Sequence, residues 1–365
     1  MATRNENVTP WMATHPGTVL KYELEDRLLS QKDFAVLIGM QKSHVSELLK
    51  GKRPMTKAIA DKIEEKLGIS AISLVNLQTQ YEYDVKAIEQ KDIEEQKALN
   101  VLKLYNEVFD YRTILKRLAA VAETAIEQVH FFKDLCLLPK PAELKLEADG
   151  MFKKSAKTGL DPRMLMTWKI LAETNARKLH VGGTFERKDE QLVIEEIKRV
   201  LHANQDTEDN VKRILASYGI AFCIVEKVEK ASVDGYSFIE NNVPYIILTK
   251  RYNRIDNFAF SLMHELGHIY RHYLDNSKQK CKLSILEYDN KSPEEREANE
   301  YAANALIPNQ DWKNTPKVRV NPVMIQRKYT EWATEREMNK WIVLGRISYE
   351  TGMYKFKSDE TRRIN

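Results

Sequence analysis

In Phe258-Ala259-Phe260-Ser261-Leu262-Met263-His264-Glu265-Leu266-Gly267-His268, an apolar run of helical spacing holds the pattern His-Glu-x-x-His. Phe258, Leu262, Leu266 and Ile269 form one apolar stripe. Two histidines four residues apart stand one turn from each other on a single helix face, so both imidazoles reach one zinc ion. Glu265 lies beside them, where a carboxylate can take the proton of an attacking water. The competing reading is a core helix with satisfied histidines. It would bury two imidazoles and a carboxylate on one face, which is costly without a shared partner.

A zinc site needs a third protein donor. His272 continues the spacing but lies about 12 Å along the axis from His264, too far to join both histidines, and reads as a surface or supporting residue. The next stretch is Ser292 to Pro308, a predicted helix with Ser292 as N-cap, Pro293 in the first turn and Pro308 closing it. Three carboxylates compete there. Glu295 shares a face with Asn299, Ala302 and Leu306; the small residues permit close approach, and Asn299 can hold a ligating histidine in place. Glu294, on the face of Ala298, Tyr301 and Ala305, is the runner-up, and Glu297 points to the opposite side. Glu295 also has a structural reading, since Ser292 and Glu295 fit a capping box.

His264-Glu265-Leu266-Gly267-His268, followed by Glu295-Arg296-Glu297-Ala298-Asn299-Glu300-Tyr301-Ala302-Ala303 and Leu306-Ile307-Pro308, resembles the ImmA/IrrE family of zinc metallopeptidase domains. The resemblance spans roughly residues 200 to 310. It implies Zn2+ held by His264, His268 and Glu295, with Glu265 as the catalytic acid and base. Tyr301 stands where the family usually has Phe, and Ala305-Leu306-Ile307 replaces a Leu-rich run; neither is a ligand position.

At 365 residues the chain has room for two or three domains, and 43% hydrophobic with 30% charged residues is the balance of a soluble globular protein. A net charge of +4 excludes a polybasic binder, so any nucleic-acid surface must be local. Cys136, Cys223 and Cys281 are isolated, which argues against a disulfide framework and for a cytoplasmic protein. No apolar run approaches a membrane span, and Met1 to Thr14 lacks a signal-peptide core, so no membrane partner is expected.

The chain opens on a set of short helices. Leu20, Leu24 and Leu28 mark an apolar face in Thr18 to Leu28. Ser30 caps Gln31 to Ile38, with Phe34, Ala35 and Leu37 apolar. Gly39 turns the chain into Gln41 to Lys50, with Val45, Leu48 and Leu49 inward. Thr56 caps Lys57 to Leu67, and Ser70 caps a fifth helix. Two helices around a glycine turn, the second polar outside, predict a helix-turn-helix that places one helix in the major groove of operator DNA. Gln31, Lys50, Lys52 and Arg53 suit phosphates; Gln41, Lys42, Ser43 and Ser46 suit base edges. His44 and Glu47 are open, Glu47 either accepting from cytosine or facing solvent. The plainer alternative is a small helical interaction domain.

His15-Pro16-Gly17, Leu29-Ser30-Gln31, Val45-Ser46, Gly51-Lys52-Arg53-Pro54 and Leu74-Val75-Asn76-Leu77-Gln78-Thr79-Gln80-Tyr81 resemble the Cro/C1-type helix-turn-helix, and more closely the HigA-type antitoxins. That implies operator binding as a homodimer, repression of the protein's own operon and a toxin partner. Glu47 departs from a position that is commonly basic, so base preference does not transfer.

Tyr81 to Leu104 is charged and helix-permissive, a solvated connecting helix in preference to a coiled coil. Leu115 to Leu138 is an amphipathic stretch ended by Pro139-Lys140-Pro141, and Met151 to Leu179 has core-type spacing through Met164, Leu165, Trp168, Leu171 and Ala172. Val193 to Leu201 and Asn210 to Tyr218 read as helices and Gly219 to Val225 as a strand. Gly235 to Ile239 and Tyr245 to Thr249 form a hairpin turning at Asn241-Asn242. A short sheet before the zinc helix could align an extended substrate along its edge. The tail, Met324 to Ile364, is helical and then basic, with Arg327 and the tail lysines read as a solvated face. Tyr236 and Tyr270 are candidate oxyanion donors with no spacing argument behind them.

The expected fold is mainly α (α+β). It has a five-helix helix-turn-helix domain (1–85), a helical connector (86–140), a zincin-like domain with a small sheet and the His-Glu-x-x-His helix (141–315), and a C-terminal helical extension (316–365). The expected function is a transcriptional regulator of antitoxin type with a zinc peptidase that cleaves a regulatory protein. The alternatives are a repressor or antitoxin whose zinc domain senses or binds a partner without turnover, and a protease that uses its head only to dimerise.

Overall fold

Residues 10–141, 143–145, 161–250, 252–273, 281–284, 292–317 and 321–365 are described in a computed structural model of the chain. The amino-terminal residues 1–9 and residues 151–160 of the Met151 to Leu179 stretch lie outside that set. Two compact units emerge, 1–101 with 124–126, and 102–123 with 127–365. Among the described residues no helix is long and apolar enough to cross a membrane.

The first unit holds α1 (Pro16–Asp26), α2 (Gln31–Leu37), α3 (Lys42–Leu49), α4 (Lys57–Leu67) and the first part of α5 (Ala71–Val108). Ser30 and Thr56 cap α2 and α4 through their hydroxyls, and Gly39, at φ 64°, makes the turn between α2 and α3. Leu20, Leu24, Phe34, Val45, Leu48, Ala60, Ile63 and Leu74 close one core. The His15-Pro16-Gly17 motif acquires a packing reason. His15 Nδ1 accepts from the Gly17 N–H at 2.9 Å, and its ring meets Tyr81 edge-on. A Cβ on Gly17 would lie 1.8 Å from the Leu48 carbonyl, so only glycine lets α1 start against α3.

Leu28 departs from the expected face: α1 ends at Asp26, and Leu28, at φ 55° and 94% exposed, belongs to the turn into α2. The fifth helix and the charged connecting stretch are one 38-residue helix, because no breaker interrupts it.

The Leu115 to Leu138 stretch is not one helix. α6 (Tyr111–Arg117) stops before Ala119 at φ 49°, and α7 (Ala125–His130) follows, running into a π-turn at Phe131–Leu135. Val121, between them, is 96% exposed.

The second unit continues with α8 (Pro162–Ala176), α9 (Glu190–Ala203) and α10 (Thr207–Ser217). Then come β1 (Ala221–Ile224), β2 (Gly235–Glu240), β3 (Val243–Leu248) and α11 (Ile255–His268). A π-turn (Ile269–Tyr273), β4 (Cys281–Ser284), α12 (Pro293–Leu306), α13 (Asn309–Trp312), α14 (Pro322–Thr334) and α15 (Lys340–Thr351) complete it. The sheet order is β1-β3-β2-β4, with β1 parallel to β3 and the other pairs antiparallel. Asn241 and Asn242, both at positive φ, turn the β2–β3 hairpin as the sequence predicts.

Helix α11 runs through the core, its Phe258, Leu262 and Leu266, with Ile269 of the following π-turn, buried among residues of α9, α10, β3, α12, α14 and α15. The tail helices are therefore built into this core, not appended to it. Ile325, Tyr329, Trp332, Trp341 and Ile347 join the same cluster, and Arg346 donates to the Ala303 and Ile307 carbonyls at 3.0 and 2.7 Å, closing the end of α12. In the basic terminal run, Arg362 is not solvated: it donates to buried Asp256 at 2.9 Å and lies over the Trp341 ring.

His202 on α9 bridges two backbone segments. Its Nδ1 accepts from the Asn339 N–H at 3.0 Å, so its Nε2–H faces the Leu306 carbonyl at 3.2 Å. Burial lowers its pKa below 6.5. The folded state thus resists a proton that the unfolded chain takes up near pH 6.5, so this contribution is present above that pH and lost as pH falls below it. His202→Gln, lacking the Nδ1 acceptor, should cost about 1–3 kcal/mol at pH 7.5. It should also flatten the decline in unfolding midpoint between pH 7 and 5; an unchanged slope would assign that decline to other groups.

Candidate metal centre

Helices α11 and α12 meet through small residues. Ala298 and Ala302 are fully buried, and a Cβ on Gly267 would lie 3.0 Å from the Tyr301 ring and 3.3 Å from the Ala298 Cα. That approach brings the Glu295 carboxylate between the two histidines. Its Oε2 lies 3.1 Å from His264 Nε2 and its Oε1 3.5 Å from His268 Nε2, while the two Nε2 atoms are 3.0 Å apart. The donor atoms of all three lie within 4.8 Å of one another, and all three residues are buried. Burial pushes the Glu295 carboxyl up, but hydrogen bonds and charge from His264 and His268 outweigh it and hold the group well below the usual carboxylate range.

The capping and clustering readings of Glu295 coexist. Its backbone N–H donates to the Ser292 hydroxyl at 3.2 Å, leaving its side chain to face the histidines. Asn299, one turn on, accepts from His264 Nδ1 at 3.0 Å; an amide oxygen can only accept, so Nδ1 carries a proton and Nε2 is the ring nitrogen turned to the cluster. Glu294 contributes its backbone carbonyl to His272 Nε2 at 3.1 Å. His272 thus ties the π-turn to the start of α12, and Glu297, expected on the opposite side, is exposed with its Oε2 3.8 Å from His272 Nδ1. Glu265 is fully buried beside the histidines and accepts from the Ser237 hydroxyl at 2.5 Å.

A comparison with protein-family profiles matches residues 217–331 to the IrrE N-terminal-like domain of peptidase family M78. The chain carries an IrrE N-terminal-like domain. A second profile matches residues 20–74 to a helix-turn-helix. The IrrE-like match runs from the end of α10 into α14, so it takes in the sheet, α11 and α12.

Two solved structures are similar to part of the chain. One is a candidate antidote protein of a plasmid maintenance system from Nostoc punctiforme, 27% identical, covering 23% of this chain and 93% of that one, with a TM-score of 0.23. The other is an addiction-module antidote protein of the HigA family from Coxiella burnetii, 23% identical, covering 23% and 94%, with a TM-score of 0.22. A search of curated proteins returned no match.

In the helix-turn-helix domain, Gln31, Gln41, Lys42, Ser43, Lys50 and Lys52 are exposed, and Ser46 and Arg53 half-exposed. Lys42 and Ser46 on α3, with Lys50 at its C-cap, follow at intervals of four. Glu47 pairs with Arg53 at 3.2 Å, so the acidic departure holds a basic neighbour.

In the IrrE-like domain two expectations fail. Tyr236 points to the face of β2 opposite Ser237, where its hydroxyl donates to Glu173 at 2.6 Å. The Tyr270 ring packs on Phe185, and burial first, then Glu190, pushes its pKa up. Neither sits with the cluster, because strand alternation and the π-turn decide their directions.

Sequence reasoning missed Ser237, Gly235 and Tyr273. The π-turn brings the Tyr273 ring parallel to His268, with centroids 6.0 Å apart, a placement that α-helical counting does not give. Burial pushes the Cys223 thiol up to about 12, which disfavours its thiolate.

Proposed function

We propose that this chain is a cytoplasmic DNA-binding transcriptional regulator of antitoxin type whose IrrE-like domain is a zinc-dependent endopeptidase acting on a regulatory protein. The observation that carries the reading is the convergence of His264, His268 and Glu295 beside buried Glu265, in a chain that also holds a helix-turn-helix. Two imidazole nitrogens and one carboxylate are the donor set of a catalytic zinc site. Zinc, when bound, supplies a Lewis acid that acidifies a water and polarises a peptide carbonyl. Glu265 takes the proton of the attacking water and passes it to the leaving amine. Asn299 keeps His264 in its ligating tautomer. Strand β4 is the sheet edge next to β2, the strand that touches Glu265, and would pair with an extended peptide.

In the head, Gln41, Lys42, Ser43 and Ser46 face base edges and Gln31, Lys50, Lys52 and Arg53 face phosphates, with two copies on two half-sites. The residues shared with HigA-type antitoxins support a toxin as partner.

Elemental analysis of protein purified without added metal tests the site. About one zinc per chain is expected, lost in Glu295→Ala and kept in Glu294→Ala. A parent that takes up no zinc after reconstitution would leave a DNA-binding regulator without a peptidase. For the head, Lys42→Ala with Ser46→Ala should weaken binding to a selected operator about tenfold or more. Unchanged affinity would remove α3 from the DNA contact.

A further inference from the structure

Strand β2 presents Gly235 and Ser237 on one face to Glu265 of α11. The Ser237 hydroxyl donates to Glu265 Oε2 at 2.5 Å, and both side chains are fully buried. A Cβ at position 235 would lie 2.4 Å from Glu265 Oε1, so the carboxylate occupies space that any other residue would fill. The other face of β2 is clamped separately: Tyr236 donates to Glu173 Oε1 at 2.6 Å, and Lys169 reaches the same oxygen at 2.6 Å. A glutamate side chain has several staggered rotamers, and a helix fixes none of them beyond the first torsion. Here a small hydroxyl residue and a bare backbone, on a strand held from behind, select one orientation.

We propose that Ser237 is the positioning residue for Glu265, holding its carboxylate in register with the histidines while Gly235 provides the space. The inference rests on the zinc-peptidase reading above. It adds a requirement on β2 that the His-Glu-x-x-His pattern does not contain.

The test uses the full-length, zinc-loaded chain and acetohydroxamic acid, which chelates zinc through two oxygens and gives its proton to a neighbouring carboxylate. Calorimetry should show that Ser237→Ala keeps its zinc but binds the hydroxamate about tenfold more weakly, the effect of one hydrogen bond to a charged group. Ser237→Thr, which keeps the hydroxyl, should restore binding. Glu265→Gln should also weaken it, and adding Ser237→Ala to that variant should cost less than about twofold more. Parent-like binding in zinc-loaded Ser237→Ala, or full additivity of the two substitutions, would overturn the proposal.

Should the parent take up no zinc, the peptidase reading fails on its own, and the pairing is read in the metal-free chain. There Ser237→Ala should lower the unfolding midpoint more in the parent than in the Glu265→Gln background. Equal shifts would overturn it.

Discussion

Glu265→Gln should abolish hydrolysis while leaving zinc in place. Its side chain is buried beside the three clustered donors but is not one of them, so the substitution keeps shape and hydrogen bonding and removes only the capacity to take a proton. Loss of a positioned general base costs about 10²–10⁴-fold in rate. Digestion of a random peptide library, read by mass spectrometry, should show cleavage by the parent and almost none by the variant. Asn299→Ala makes the complementary case. It leaves all donors in place but releases His264 Nδ1, and should lower zinc affinity about 10–100-fold in a chelator competition. A Glu265→Gln protein that still cleaves would move the base elsewhere. An Asn299→Ala protein with unchanged affinity would mean that packing alone orients His264.

Lys169→Met should destabilise the second unit by about 3 kcal/mol, near the low end for breaking a buried ion pair. Lys169 is 8% exposed and its ammonium lies 2.6 Å from Glu173 Oε1, with Arg177 at 3.3 Å from Oε2 and the Tyr236 hydroxyl at 2.6 Å. Burial alone would raise the Glu173 pKa, and Lys169 is the largest of the influences that bring it below the usual range. Removing the ammonium leaves a buried carboxylate with Arg177 and one hydroxyl, which softens the loss without cancelling it. Adding Glu173→Gln should recover most of the stability, because the neutral amide needs no counter-charge and still accepts from Tyr236. Urea unfolding of the four proteins measures the coupling. A loss under about 1 kcal/mol in Lys169→Met would show that Arg177 and the Tyr236 hydroxyl satisfy Glu173 without Lys169. Because this network backs β2, the destabilised variant should also loosen the strand that holds Glu265.

Short-range periodicity carries the local chemistry. A four-residue histidine spacing on an apolar stripe, a Ser-Pro helix start and small residues beside Glu295 mark two helices able to approach and leave Glu295 and Glu294 as candidate third donors, because helical periodicity fixes which side chains share a face; their packing decides for Glu295. The caps at Ser30 and Thr56 and the Asn241-Asn242 turn were legible for the same reason: each is a short-range backbone preference.

Contacts between distant segments required the fold. Nothing near His264 announces that Ser237, 28 residues before Glu265, would donate to that carboxylate, or that Gly235 must lack a side chain for Glu265 to fit. Strand order and register decide both. The same holds for Tyr236 turning to Glu173, for the π-turn that carries Tyr273 onto His268, and for the tail helices joining the core through Trp332, Trp341 and Arg346. Burial of those side chains is a property of the whole packed unit, and no window of sequence contains the surfaces that bury them.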